Sequence, residues 1–267
     1  MTDQNEGQVS SIQPGPRTAD RDIVPDWKWL YRIGGVAALL AVVVTLLHSG
    51  VYAVVGLPTT ALEWFALFES NALGGLLAFE LLMVVYVVLN VPVMLALYVA
   101  LRRASPSLMV VFMALSLIGV VAFIVARPAF EMLTLSDAHA AATTGAQRAN
   151  YLAAGEATLA VFHGTAFWVS YLLGSVSGLI LAVVMLRTSI FSRATAYLRI
   201  ASSVLDFGLF VPAIGLYIAL GSVLCLVVFN ILVARRLLQL GRRATEEERA
   251  RPPLATERPL ARQQVIP

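Results

Sequence analysis

Six ionisable residues lie within or at the ends of long apolar stretches, where a charged side chain is costly unless it is paired or functional. Their types allow two kinds of chemistry. An arginine presents a fork of donors to an anionic group, and a neighbouring carboxylate can carry a proton. Histidines and carboxylates together also form a nitrogen and oxygen ligand set that suits zinc or a similar metal. The six residues are His48, Glu80, Arg127, Glu131, His163 and Asp206.

Glu80 is the residue around which we interpret the chain. The apolar run from Gly74 to Arg103 is long enough to cross a bilayer, and Glu80 is its only acidic residue. A pair between Glu80 and Arg127 would fix the register of two helices without doing any chemistry, as expected of a structural or accessory membrane protein. The same pair in an outward-opening polar pocket would bind or pass a small solute. The residue types leave both interpretations open, and solute binding or permeation is our working hypothesis.

A membrane-embedded metal-dependent hydrolase is the alternative, with Glu131 as a base. No two of its candidate ligands share a helix at a spacing of three or four residues. The motifs H-E-x-x-H and G-x-S-x-G and a phosphate-binding loop are also missing from the sequence. We therefore expect no cofactor and no metal, and we rank the hydrolase below solute binding. The candidate ligands of that alternative are His48, Glu80, His163 and Asp206.

The composition is typical of a membrane protein. Hydrophobic residues make up 59% of the chain and charged residues 13%, and the mean hydropathy is +0.80. Soluble proteins have about 45–50% apolar and about 25% charged residues. The basic residues lie at the ends of apolar blocks and in the tails, so the pI of 9.2 indicates membrane topology, not nucleic-acid binding. Cys225 is the only cysteine, which excludes an intrachain disulfide.

The apolar blocks predict an all-α bundle of six transmembrane helices with short interfacial helices. Residues 56–71 are amphipathic and too short to span a bilayer, which is typical of an interfacial helix. Residues 1–27 and 241–267 are predicted to be disordered cytoplasmic tails on either side of a transmembrane domain at 28–240. The predicted spans are about 33–55, 72–101, 107–130, 156–186, 194–211 and 216–234.

The positions of the basic residues predict the orientation. All 19 Lys and Arg residues except Arg127 and Arg148 lie in the tails, in two basic turns or near the same ends of the spans. The positive-inside rule therefore predicts a multi-pass protein of the cytoplasmic membrane with both termini cytoplasmic. Four of the six ionisable residues then lie about 24 to 36 Å above the basic ends of their spans, and Asp206 lies about 20 Å above Arg193. We expect these four to gather in the outer half of the bundle, with Asp206 beneath them.

Partners are predicted only in outline. The lipid bilayer is one, an unknown small molecule is another, and nucleic acid is not expected. Gly174 and Gly178 form a G-x-x-x-G pattern, which allows membrane helices to pack closely. This face is a candidate interface for a homo-oligomer.

Several short motifs between about residues 29 and 240 resemble a family of uncharacterised bacterial membrane proteins with six spans, described as a domain of unknown function. The resemblance implies a six-span fold in the membrane and no particular activity. It includes Glu80, Arg127 and Glu131, and it supports neither histidine as a ligand. Its motifs are Phe79-Glu80-Leu81, Pro92 followed by Leu97-Tyr98 before Arg102, the spacing Arg127 to Glu131, and the turn from Arg187 to Arg193.

Overall fold

The structure is a computed structural model that describes residues 27–56, 58–211 and 215–250. Within these ranges all regular secondary structure is helical. The disorder predicted for 1–26 and 251–267 concerns residues outside the described part of the chain. The helices are α1 Lys28–Val55, α2 Ala61–Ser70, α3 Ala72–Leu76, α4 Leu82–Leu101, α5 Pro106–Val125, α6 Ala129–Ala141, α7 Gly145–Phe162, α8 Thr165–Leu186, α9 Arg193–Phe207 and α10 Gly215–Ala250.

Six of these helices form a closed ring. Going round it, α1 packs against α4, α4 against α5, α5 against α8, α8 against α9, α9 against α10, and α10 against α1. The first and last helices of the described chain are thus neighbours. At one end of the bundle Lys28 forms an ion pair with Glu248, and the Arg32 guanidinium donates a hydrogen bond to Thr245 Oγ1.

The chain is all-helical and has the architecture of a multi-pass membrane protein. Five helical segments are long and apolar enough to cross a membrane, judged by length and composition within the described residues. Their outward faces carry large exposed apolar side chains, such as Leu46 and Leu47 of α1 and Val121 of α5. An aqueous solvent would disfavour such faces, whereas lipid would not. The five segments are Lys28–Val55, Ala72–Leu101, Pro106–Ala141, Gly145–Leu186 and Gly221–Ala250.

The predicted fifth span, 194–211, differs from the others. It consists of α9, which has 15 residues, and a following 3-10 turn, Gly208–Phe210. This unit is shorter than the other five segments, although α9 is fully integrated between α8 and α10.

The last helix is longer than predicted. We expected a disordered tail from residue 241, but α10 continues without interruption to Ala250. The prediction is therefore wrong for residues 241–250. Packing against α1 explains the extension, because Leu240 and Ala244 are buried and Thr245 and Glu248 contact α1.

The hydrophobic interior is divided into two clusters. The larger one fills the part of the ring nearest the basic turns, and Val93, Leu97, Met109, Val233 and Leu237 lie at its centre. The smaller one, which we call the cap core, joins α2, α6 and α7 to the top of the α3–α4 helix. All six helices of the ring carry buried or half-buried polar side chains, which we call the polar layer; they include Thr45, Asn90, Ser116, Ser170, Ser202 and Asn230.

Candidate functional site

Glu80 lies in a distorted turn. The helical hydrogen bonding changes from α to π over Leu77–Leu81, and Glu80 itself has φ +64° and ψ +21°. Among the described residues other than glycine, Glu80 alone has a positive φ. The left-handed region costs an L-residue with a Cβ atom about 1–2 kcal/mol, and such strain persists only where the surroundings impose it. Single π turns inside α-helices are common at functional sites.

Arg127 lies in a second interruption. Helix α5 ends at Val125, Pro128 precedes α6, and the backbone between them makes short turns, with Arg127 N–H donating to Ile124 O at 3.0 Å. Proline disfavours helical geometry in the residue before it, which explains the break at this position. The break turns the Arg127 side chain into the bundle, where it is only 7% exposed.

The predicted pair between these two residues is present. The Arg127 Nε–H group faces Glu80 Oε2 in an ion pair whose arginine side chain is completely enclosed. Tyr52 Oη donates a hydrogen bond of 3.1 Å to the other carboxylate oxygen, Glu80 Oε1. His48, one turn before Tyr52 on α1, packs its ring 4.3 Å from the Tyr52 ring. This face of α1 is therefore part of the same cluster.

Three phenyl rings enclose the Arg127 guanidinium. Its central carbon lies 4.1 Å from the ring centre of Phe123, 4.7 Å from that of Phe162 and 5.0 Å from that of Phe167. Rings at these distances attract a cation through their quadrupoles, and more strongly where water is excluded. The three rings therefore stabilise the positive charge of Arg127 on the sides that Glu80 does not face.

Two buried nitrogens in this cluster keep unused hydrogen-bonding capacity. Arg127 Nη1 donates to Ala126 O at 3.2 Å, but Nη2 has no hydrogen-bond partner among the described residues. His48 is 9% exposed, and its Nε2 is likewise without a partner there. Buried polar groups in proteins are almost always hydrogen-bonded, so unpartnered ones indicate a place for water or a ligand.

The remaining three candidates lie elsewhere. Glu131 is exposed on the first turn of α6, and His163 is exposed at the break between α7 and α8, edge-on to the Phe162 ring. Asp206 belongs to a separate group on α9, where its Oδ1 accepts a hydrogen bond of 2.5 Å from Ser222 Oγ. Within the described part of the chain no three His, Cys, Asp or Glu side chains form a group that could hold a metal ion.

Several residues near this cluster were not predicted from the sequence. Tyr171 of α8 packs its ring 4.8 Å from that of Phe167, one of the rings that enclose Arg127. Arg199 was counted among the basic residues at the cytoplasmic ends, but it points into the ring and donates to Gly174 O at 3.2 Å. Its spacing of seven residues from Asp206, which places both on one face of a helix, is the signal that could have identified it.

The G-x-x-x-G pattern packs inside the chain. A Cβ atom at Gly178 would overlap the Arg199 guanidinium and Ser203 Oγ, whereas one at Gly174 would meet nothing within 4 Å among the described residues. Gly178 therefore provides the close approach of α8 to α9. A homo-oligomer through this face stays a prediction.

Comparison of the chain with protein-family models, with curated proteins and with solved structures found no match. The resemblance to a six-span family of unknown function thus stays a prediction, and the interpretation of the site depends on its geometry.

Proposed function

We propose that the protein crosses the cytoplasmic membrane six times, with both termini in the cytoplasm, and binds a small organic anion at Arg127. The observation that carries the binding proposal is the enclosed Arg127 guanidinium, which has one nitrogen without a partner among the described residues and is paired with a carboxylate on a strained residue.

The ring geometry supports an even number of crossings. Because Lys28 pairs with Glu248, the start of α1 and the end of α10 lie at the same end of the bundle. Five long segments alone would leave them at opposite ends. With α9 and its 3-10 turn counted as a crossing of about 28 Å, close to the ~30 Å of a bilayer interior, the number becomes six.

The distribution of basic residues supports the orientation. Arg102, Arg103, Arg187 and Arg193 lie at the same end of the ring as Lys28, and basic loops face the cytoplasm. The test is labelling of single cysteines, introduced in a Cys225→Ser background, with an impermeant maleimide on intact cells. We expect Thr143→Cys to react from outside and Ser189→Cys only after permeabilisation. The reverse pattern would refute the orientation.

The ligand class follows from the site. A carboxylate oxygen fits Arg127 Nη2, because hydrogen bonds between a guanidinium and a carboxylate are strong and Nε and Nη1 already face Glu80 and Ala126 O. The surrounding Phe123, Phe162 and Phe167 rings favour a small organic anion over a strongly hydrated one. Access is from the Glu80 side, since the Glu80 side chain is 16% exposed and that of Arg127 is not exposed at all.

The packing below the site favours binding over permeation. Beneath the polar layer, the larger hydrophobic cluster closes the ring with buried apolar side chains, including Val93, Leu97, Val233 and Leu237. A polar solute would have to lose its hydration to pass them. No observation favours the metal-dependent hydrolase.

The binding proposal is tested by thermal unfolding of the protein in lipid nanodiscs with acetate or propionate, against chloride at equal ionic strength. A ligand that binds only the folded state raises stability by about 2.7 kcal/mol at a hundredfold excess over Kd. We expect stabilisation of the wild type and of Arg148→Gln, which changes an exposed arginine on α7, and none of Arg127→Gln. If acetate, propionate and chloride change the thermal stability of the wild type equally, the binding proposal is refuted and the ion pair has a structural role only.

A further inference from the structure

A second polar group lies deeper in the ring and is centred on α9. Arg199, Ser203 and Asp206 lie on one face of this helix, and Ser202 lies beside them. Both serine side chains are completely buried, and their hydroxyl oxygens have no hydrogen-bond partner among the described residues. The same holds for Arg199 Nε. The helix therefore presents a cation, two unpartnered hydroxyls and a carboxylate in sequence.

Neighbouring helices complete this group. Arg199 Nη2 donates to Gly174 O of α8, and its guanidinium lies 5.6 Å from the Phe229 ring of α10. From α10 Ser222 donates to Asp206, and Asn230, which is 2% exposed, interacts with the Tyr86 hydroxyl of α4. Between Gly221 and Ala234 α10 has no charged residue.

Tyr171 connects this group with the outer ion pair. It is half-buried on α8, and its ring lies 4.8 Å from that of Phe167, one of the rings that enclose Arg127. One turn further along α8, the Gly174 carbonyl accepts the hydrogen bond from Arg199. A phenolic hydroxyl both donates and accepts a hydrogen bond, so it can pass a proton between two acceptors. The polar layer thus runs inward from Glu80 through Asp206 to Arg199, and the larger hydrophobic cluster lies below it.

We propose that the space between Arg199 and Asp206 holds water and that Asp206 is a proton-binding site reached from the outer side through Tyr171. A hydronium ion delivers its proton to an Asp206 carboxylate oxygen, giving a neutral carboxylic acid and a water molecule, and the reverse step releases it. The groups that act on this equilibrium are Arg199 on the same helix, Tyr86 from α4 and Tyr171 from α8. Ser222 of α10 is the hydrogen-bond donor to the ionised form. The proposal does not require Arg127 to bind an anion.

Infrared spectroscopy of the full-length protein in nanodiscs tests this directly. Lowering the pH from about 9 to about 6, a range in which exposed carboxylates with ordinary pKa values of about 4 stay almost entirely ionised, should produce a carboxylic acid C=O band. We expect the band to be missing in Asp206→Asn and unchanged in Asp137→Asn, which alters an exposed aspartate on α6. Loss of the band in Glu80→Gln with its retention in Asp206→Asn would overturn the proposal, as would the lack of any band in the wild type.

Two further variants keep the test independent of folding defects in Asp206→Asn. Ser203→Ala retains the carboxylate but removes one neighbouring hydroxyl, so the band should remain and shift in frequency. Tyr171→Phe retains both carboxylates but removes the connecting hydroxyl, and it should slow proton uptake after a pH jump by about tenfold or more. An unchanged band frequency in Ser203→Ala together with an unchanged rate of proton uptake in Tyr171→Phe would refute both the water near Asp206 and the route through Tyr171.

Discussion

Glu80 and Arg127, which form the buried ion pair, are also the residues at which their two helices are interrupted. Glu80 lies in the π turn between α3 and α4, and Arg127 lies in the break between α5 and α6. Each interruption turns a charged side chain toward the other. The ion pair and the helix breaks are therefore one feature, and a change in either should be detected in both.

The conformation of Glu80 can be separated from its charge by two substitutions. Glu80→Gly and Glu80→Ala both delete the carboxylate, but only glycine adopts φ +64° without a steric penalty. We expect the glycine variant to be more stable than the alanine variant by about 1 kcal/mol, although helix propensity alone would favour alanine. Unfolding of both variants in mixed micelles measures the difference. An alanine variant that is equally or more stable would show that the turn relaxes when the charge is removed.

The ion pair should show strong energetic coupling. Removing one partner leaves an uncompensated buried charge, so Glu80→Gln and Arg127→Gln should each destabilise by about 3 kcal/mol. The stability lost in the double variant should be smaller than the sum of the two single losses by about 1–3 kcal/mol. Glu69→Gln with Arg148→Gln, two exposed residues, is the matched control and should be additive. Additivity in the buried pair as well would mean that Glu80 and Arg127 do not stabilise each other.

Two glycines of α8 should respond in opposite ways to alanine. At Gly178 the added methyl group would overlap the Arg199 guanidinium and Ser203, so we expect a loss of about 1–3 kcal/mol. At Gly174 it would meet nothing within 4 Å among the described residues, so helix propensity predicts a neutral or stabilising effect of up to about 1 kcal/mol. Thermal unfolding of the two variants side by side measures this contrast. Similar losses at both positions would indicate that α8 packs against α9 differently.

The start of α2 should be sensitive to acid. The backbone N–H groups of Thr59 and Thr60 donate hydrogen bonds to Glu63 and hold the pKa of its carboxyl below the ordinary value. Because the folded-state pKa is lowered, this stabilisation is present above the unfolded value of about 4.3 and is lost as the pH falls through the folded value. The protection factors of the amides in Ala61–Ser70, which compare observed exchange with the intrinsic rate at each pH, should therefore fall at acid pH. In Glu63→Gln, which keeps the capping box, this acid-dependent loss of protection should be missing.

The sequence predicted the pairing of charged side chains where burial in a membrane leaves them few partners. A lone carboxylate and a lone arginine at the same depth in adjacent spans had few alternatives to pairing, and Glu80 and Arg127 do pair. Depth alone, however, does not give the direction of a side chain. His163 lies at a helix break, which turns it outward, and Glu131 follows Pro128 onto the exposed side of α6.

The role of Arg199 could not be obtained from charge counting. The positive-inside rule treats a basic residue near a span end as a marker of topology, and Arg199 is only six residues from Arg193. Its inward position depends on the absence of a side chain at Gly178 on another helix. The left-handed conformation of Glu80 had no signal either, because no glycine or asparagine marks that turn. Both features arise from contacts between different helices, which the local sequence does not encode.

The contact between α10 and α1 closes the ring. The set of helices that touch each other therefore does not depend on where in the ring the polypeptide begins. A circular permutant that joins the two ends through a flexible linker and opens at the exposed Ser189 would have the same pairs of adjacent helices. It would also convert the α1–α10 contact into a covalently connected pair and separate α8 from α9. The closed ring thus gives the protein an architecture in which the starting point of the polypeptide can be moved without changing which helices touch.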